Sequence, residues 1–272
     1  MRDRAIPDSA LSDQLSLQLE TGLPNPPATL RPMLPRPLPE PFDSRDHLFE
    51  PSWGGRRALA FIGPAPTPGA GEVQLIGEDG VDLAPRLPEL AGLAVRVEAR
   101  SAVLDGELVA VDAAGRPDDA ELQRRLAGAL GRPVAYLTFD LLHVDGRSLI
   151  GLPLSRRREL LRKVLRAGDE VVAVPAIAGE GRALFDAVVE QGLAGMMARQ
   201  RGGPYLPGIR SRLWRFIAAR PGGSPAALQN AAGGIDEVPG PAAAPVVALI
   251  RRLPFFEEED LASDPADAPG PD

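Results

Sequence analysis

Few residues in this chain could do chemistry, and the scarce types are as informative as the abundant ones. There is no cysteine, which excludes disulfides, thiolate nucleophiles and thiolate metal sites. The two histidines, His47 and His143, are far apart in sequence and show no metal-ligand spacing. Of the 30 basic residues only Lys163 is a lysine, so a lysine nucleophile has a single candidate; arginine stays protonated and cannot substitute. The carboxylates are better placed. Asp105-Gly-Glu107 opens a strand pattern, so its two acids project to one side while Gly106 allows close approach. Such a pair can hold a ribose, a metal or an arginine, or serve as turn and edge charges. Asp140 ends an apolar strand behind Phe139, where a buried carboxylate needs a partner. A functional role and a salt bridge to an arginine are both open there.

Two further stretches stand out. Between Gln191 and Ile235 there are six arginines (Arg199, Arg201, Arg210, Arg212, Arg215 and Arg220) and no acid, a segment that could face phosphates or simply be solvated. Pro204–Pro207 around Tyr205 reads as a specific packed loop ahead of Trp214. Glu50-Pro-Ser-Trp-Gly-Gly-Arg-Arg57 is read as a loop with one aromatic anchor, Trp53.

The elements that must position these residues follow from periodicity. Strands are expected at Ala58–Ile62, Val73–Ile76, Glu107–Val111, Val134–Leu142, Val171–Val174, Gly195–Ala198 and Leu213–Ile217. Helices are expected over Asp118–Leu130, capped by Asp118 or Asp119, over Ser155–Arg166 with Ser155 as N-cap, and from about Arg182 to Glu190. Leu83–Leu93 reads as a short helix or ordered loop. The expected fold class is α+β, with largely antiparallel sheets over residues 42–219. A weakly patterned, Pro-rich leader (1–41), lying along the body or partly mobile, precedes it. An Ala/Pro/Gly-rich acidic tail (220–272), partly disordered, follows. No Gly-x-Gly-x-x-Gly or Walker sequence supports a doubly wound alternative.

Composition sets outer bounds. No run approaches the roughly 18 apolar residues of a membrane span, and a cytoplasmic location is expected. The net charge of -7 comes from the tail: Glu257–Asp260, Asp264, Asp267 and Asp272 have no base among them. The remaining chain is neutral, which argues against a nucleic-acid surface by bulk charge.

Six separate motifs, in order, carry a resemblance. Glu50–Arg57, Val103-Leu-Asp-Gly-Glu-Leu-Val109, Tyr136-Leu-Thr-Phe-Asp-Leu-Leu-His-Val-Asp-Gly146, Leu152-Pro-Leu-Ser-Arg-Arg-Arg158, Gln191-Gly-Leu-Ala-Gly-Met-Met-Ala-Arg199 and Pro204–Trp214 resemble the ordered motifs of ATP-dependent DNA ligases. The likeness is to the adenylation domain of the bacterial end-joining type and covers roughly residues 31–218. It implies a nucleotidyltransferase domain in which a lysine of Lys-x-Asp-Gly-x-Arg attacks the α-phosphate of ATP, with divalent metal offsetting charge, before AMP passes to a DNA 5′-phosphate.

Residue by residue, the chain keeps only part of that set. Ser52 stands where the resemblance places the nucleophilic lysine and Gly54 where it places an aspartate; Gly55 and Arg57 are retained. Glu78 replaces an arginine, Ala194 a metal-associated glutamate, and Arg199 a nucleotide-contacting lysine. Phe216 and Ala218 replace two further lysines. Glu107 matches a ribose-side glutamate and Phe139 the aromatic near the adenine. The resemblance thus implies ATP or AMP as the ligand, at Trp53, Arg57, Glu107, Phe139 and Arg199, with magnesium only in an active protein and no metal ligand assigned. A serine hydroxyl is a poor nucleophile without a neighbouring base. The expectation is a catalytically inactive, ligase-like interaction or regulatory module, associated with DNA repair proteins or DNA in bacterial end joining. Two alternatives stay open: an active ligase or nucleotidyltransferase with a non-standard nucleophile, and a DNA-binding accessory factor. The 53 residues after Ala219 are too few and too Pro-rich for an oligonucleotide-binding-fold domain.

Overall fold

The computed structural model describes residues 30–112 and 115–219. Most of the leader, including its apolar pattern at Leu11–Leu19, and the tail from residue 220 lie outside the described residues. Among the described residues, eleven strands form two sheets. In the first, β1 (Leu34–Pro37) lies parallel to β11 (Arg210–Ala218). Antiparallel pairings continue through β10 (Gly195–Gln200), β2 (His47–Ser52) and β9 (Ile177–Ala178). The second runs β4 (Val73–Gly77), β3 (Arg56–Ile62), β5 (Ala102–Ala110), β6 (Val134–Val144) and β7 (Arg147–Ser148), all antiparallel. The short strand β8 (Val171–Ala173) adds to β6 in parallel.

Strand alternation divides the second sheet between two cores. Leu59 and Phe61 of β3, Val103 and Val109 of β5, and Leu137 and Phe139 of β6 face the first sheet, where they pack with Met197, Trp214 and Phe216. Ala58, Ala60 and Ile62, with Leu104, Leu108 and Tyr136, face the other way. They are covered by Leu83 and Leu87, which flank the 3-10 turn Ala84–Arg86, by Leu90 and Leu93 of the 3-10 segment Pro88–Arg96, and by helices α1 (Asp119–Leu126) and α2 (Leu154–Val164). Helix α3 (Gly181–Glu190) packs on β2 and β10 of the first sheet, burying Leu184 and Val188. The central strands β5 and β6 of the second sheet have near-continuous burial because that sheet is covered on two sides.

The α+β expectation and the expected strands and helices are present, but Asp105–Glu107 lies inside β5 and does not open it, Asp140 lies inside β6 and does not end it, and α1 stops at Leu126, leaving Leu130 exposed. There are three further local differences. Glu50–Arg57 is mostly strand: Glu50–Ser52 end β2 and Arg56–Arg57 begin β3, leaving only Trp53–Gly55 as the turn. Gly54 adopts φ +81°, and a methyl on Gly55 would collide with the carbonyl of Leu108, so two glycines let this turn lie against β5. The α2 N-cap is Pro153, and Ser155 sits inside the first turn without a side-chain cap. At α1 Asp118 does cap, accepting a 2.9 Å hydrogen bond from the N–H of Glu121. Finally, the Pro-rich leader contributes β1, with Leu34 N–H donating to Ile209 O at 3.0 Å and Leu38 N–H to Phe216 O at 2.8 Å.

Candidate functional site

The two sheets meet over a cavity of about 500 Å3. On the side of β2, β10 and β11 it is lined by Ser52, Met197, Phe216 and Arg199, which belong to three transverse rows set by the strand register. Ser52, Gly195 and Ala218 form the first row, Glu50, Met197 and Phe216 the second, and Leu48, Arg199 and Trp214 the third. Its opposite wall holds Gly55, Arg57, Glu78, Glu107 and Phe139, and the β1 segment with Arg31, Arg210 and Gly208 closes the mouth. Arg57, Glu107, Phe139 and Arg199 therefore converge, with Ser52 among them. Trp53 does not line this cavity. It points the other way, into the core and a second cavity of about 230 Å3 shared with Arg116, Pro117 and Glu190.

The wall on the second sheet is held by its own charges. Arg57 donates from Nε and Nη2 to the two Asp105 oxygens, at 2.5 and 2.6 Å. Asp105 also accepts from Tyr205 Oη at 2.6 Å, and Tyr205 Oη accepts from the N–H of Met33 at 2.9 Å. Burial opposes the Arg57 charge, but the Asp105 charge and hydrogen bonds outweigh it and hold Arg57 above its ordinary value. The Pro204–Pro207 loop is thus packed for a reason: it delivers Tyr205 to this carboxylate. Of the Asp105/Glu107 pair, one acid holds an arginine. The other, Glu107, accepts a hydrogen bond from the N–H of Gly55. Burial pushes Glu107 above the usual carboxylate value, against the amides of the turn and the Arg57 charge.

Asp140 resolves to a structural role. Its oxygens take Arg157 Nε and Nη2 at 2.8 and 2.7 Å, and both side chains are wholly buried. A second buried network, missed in the sequence analysis, is centred on Glu50. Both Glu50 oxygens are occupied, one by Arg158 and the other by Arg199. Arg158 Nη1 also donates to the carbonyl of Phe139 at 3.0 Å. These partners lie 108 and 149 residues away, and the proline after Glu50 disguised the strand; only its apolar neighbours Leu48 and Phe49 hinted at burial.

The cationic Arg199 sits over two aromatic rings that meet edge to face, its Cζ 3.9 Å from the Phe139 centroid and 4.7 Å from that of Trp214. Arg57 Cζ stands 4.7 Å from the Phe139 ring as well. Burial works against the Arg199 charge and lowers its pKa from the ordinary value. Phe216 presents a ring to the cavity. Ala194 sits beside the Ser52 backbone, its N–H donating to Ser52 O at 3.1 Å. Neither histidine reaches Ser52: His47 Nδ1 is 3.0 Å from Ser44 Oγ, and His143 lies where β6 meets β7. Lys163 is exposed on α2 and lines neither cavity. Among the described residues no group of three or more His, Asp or Glu could hold a metal ion, and no helix is long and apolar enough to cross a membrane. This lining does not fit a metal-assisted nucleotide: the aromatic ring is covered by guanidinium groups, and Glu107 is engaged by the turn.

Two antiparallel-rich sheets closing on a cavity, with α2 behind one of them, define a nucleotidyltransferase domain of the DNA ligase kind. Residues 41–216 match the family described as ATP dependent DNA ligase domain, and the chain belongs to that family. The multifunctional non-homologous end joining DNA repair protein LigD of Mycobacterium tuberculosis is 34% identical over 169 residues, covering 61% of this chain and 21% of that protein. The SPbeta prophage-derived DNA ligase-like protein LigB of Bacillus subtilis is 26% identical over 184 residues, covering 67% of this chain and 65% of that protein. Among solved structures, mycobacterial DNA ligase D complexed with ATP and MES superposes with a TM-score of 0.60 at 28% identity, over 71% of this chain and 61% of that one. The chain thus spans about a fifth of the length of the LigD proteins it resembles. Among the described residues there is no complete oligonucleotide-binding fold.

Proposed function

We propose that this chain is a ligase-like domain that does not form an enzyme–AMP adduct and works as an interaction or regulatory module in DNA end joining. The observation that carries this is the row Ser52–Gly195–Ala218, which meets the cavity at Ser52 and holds no amine or charged side chain. Ser52 is only 5% exposed, and the lone lysine stands elsewhere. A serine without a base is unactivated, and removing several groups that act on one phosphate is not repaired by keeping any one of them. The link to end joining comes from the relatives, whose names carry that activity.

The test is incubation of the purified chain with α-labelled ATP and magnesium or manganese. No covalent label is the expected result. A label that disappears on Ser52→Ala or Lys163→Ala would instead establish an active nucleotidyltransferase. A second reading, a DNA-binding accessory role, is favoured by the exposed Arg201, Arg210 and Arg212 along one end of β10 and β11. It requires a mobility shift with DNA that weakens steeply with salt, and no shift at low salt removes it.

A further inference from the structure

We propose that Arg199 is the specificity-determining residue of the large cavity. Its guanidinium lies on the ring of Phe139 and closes that ring to a planar base, so the chain takes up no adenine nucleotide there. The inference rests on the non-adenylating reading of the domain and deepens it.

An aromatic face lining a cavity attracts either a stacked planar ring or a cation, and one face cannot serve both. At 3.9 Å from the centroid, Arg199 Cζ is in van der Waals contact with Phe139. The ring retains 4% exposure although it lines the cavity. A base stacking at that face must therefore displace the guanidinium. What holds Arg199 in place is a closed circuit. It pairs with Glu50, Glu50 pairs with Arg158, and Arg158 donates to the carbonyl of Phe139, the residue whose ring Arg199 covers. Swinging Arg199 away leaves buried Glu50 with one partner fewer.

Arg57, the other guanidinium near the ring, is not the gate. It spends both Nε and Nη2 on Asp105, so it is fixed as part of the wall. Arg199 Nε and Nη1, in contrast, are buried without a hydrogen-bond partner, and its contact with Glu50 is an ion pair. Arg199 is held by that contact and by the rings, which makes it the movable member of the two arginines.

The experiment titrates the full-length chain with AMP by calorimetry. Wild type is expected to give no saturable binding. Arg199→Ala, which adds no group that could hold the phosphate, is expected to give a saturable AMP isotherm at least about tenfold tighter than the weakest binding the titration can detect, the size of one base–aromatic stack. Adding Phe139→Leu to Arg199→Ala should abolish the gain. Thermal melts check the fold, and Arg199→Lys, which retains a cation for Glu50 but cannot cover the ring as a plane, replaces the alanine variant if that one does not fold. Equal AMP binding by wild type and variant overturns the proposal, as does a gain that survives Phe139→Leu. Covalent labelling of wild type by ATP would overturn the non-adenylating reading; tight non-covalent AMP binding without labelling would overturn only the role of Arg199.

Discussion

The two sides of the cavity follow different rules. On the β3–β5 side every charged group deep in the wall has a partner from the chain: Arg57 has Asp105, Asp105 has Tyr205, and Glu107 has the Gly55 amide. On the β2–β10–β11 side the row nearest the turn is Ser52, Gly195 and Ala218, and the next exposes Met197 and Phe216. The charges that persist there, Glu50 and Arg199, are paired with each other. The difference has a physical cause. Removing one member of an internally paired, buried set strands the other, so such sets resist piecemeal loss. A charge whose partner is a ligand carries no such penalty, and its replacement leaves the fold intact. The positions that resemble a ligase are therefore mostly those whose partners are in the chain itself.

That contrast can be broken most severely at Asp140. Asp140→Ala leaves the fully buried Arg157 guanidinium without its carboxylate and should lower stability by about 3–5 kcal/mol in urea denaturation. A loss below about 1 kcal/mol would mean that internal pairing is not what preserves these positions. A smaller effect of opposite sign is expected at Glu107. Its pKa is raised in the folded state, so ionisation there costs stability as pH rises from about the ordinary value of 4.5 through the folded value. Glu107→Gln should be more stable than wild type at neutral pH, with the advantage shrinking as pH falls toward 4.5. A difference that stays flat between acid and neutral pH would show that Glu107 carries no burial cost. The smallest change is expected at Lys163. Lys163→Ala should shift stability by less than about 0.5 kcal/mol, as for a surface position outside both cavities. A larger loss on thermal denaturation would reveal a partner for the chain's one lysine.

Much of this fold was legible because burial and period agree. Val134–Leu142 and Leu213–Ile217 lie within β6 and β11, and Asp118 caps α1 as its spacing to Glu121 suggests. β2 was not legible, because Glu50 and Pro51 interrupt its apolar pattern; what permits a glutamate there is a pair of arginines from α2 and β10. The site was legible as a set of positions. Arg57, Glu107, Phe139 and Arg199 do line one cavity with Ser52. Their states were not, since orientation depends on neighbours no local pattern names. Trp53, adjacent to Ser52 in sequence, faces away because successive residues leaving a strand point to opposite sides. Arg199 could be read as a cation near a nucleotide, but not as one seated over the Phe139 ring.

The leader strand β1 has a consequence for how copies of this chain meet one another. Leu34 and Leu38 direct their N–H groups inward to β11. The alternate positions, whose N–H groups would face outward from this edge, are Pro35 and Pro37, which have none. The open side of the sheet thus offers no donor at these two positions to an incoming strand, and the arrangement works as a stop against edge-to-edge polymerisation. The prolines that read in sequence as a leader lying along the body or partly mobile are, among the described residues, the edge of a sheet.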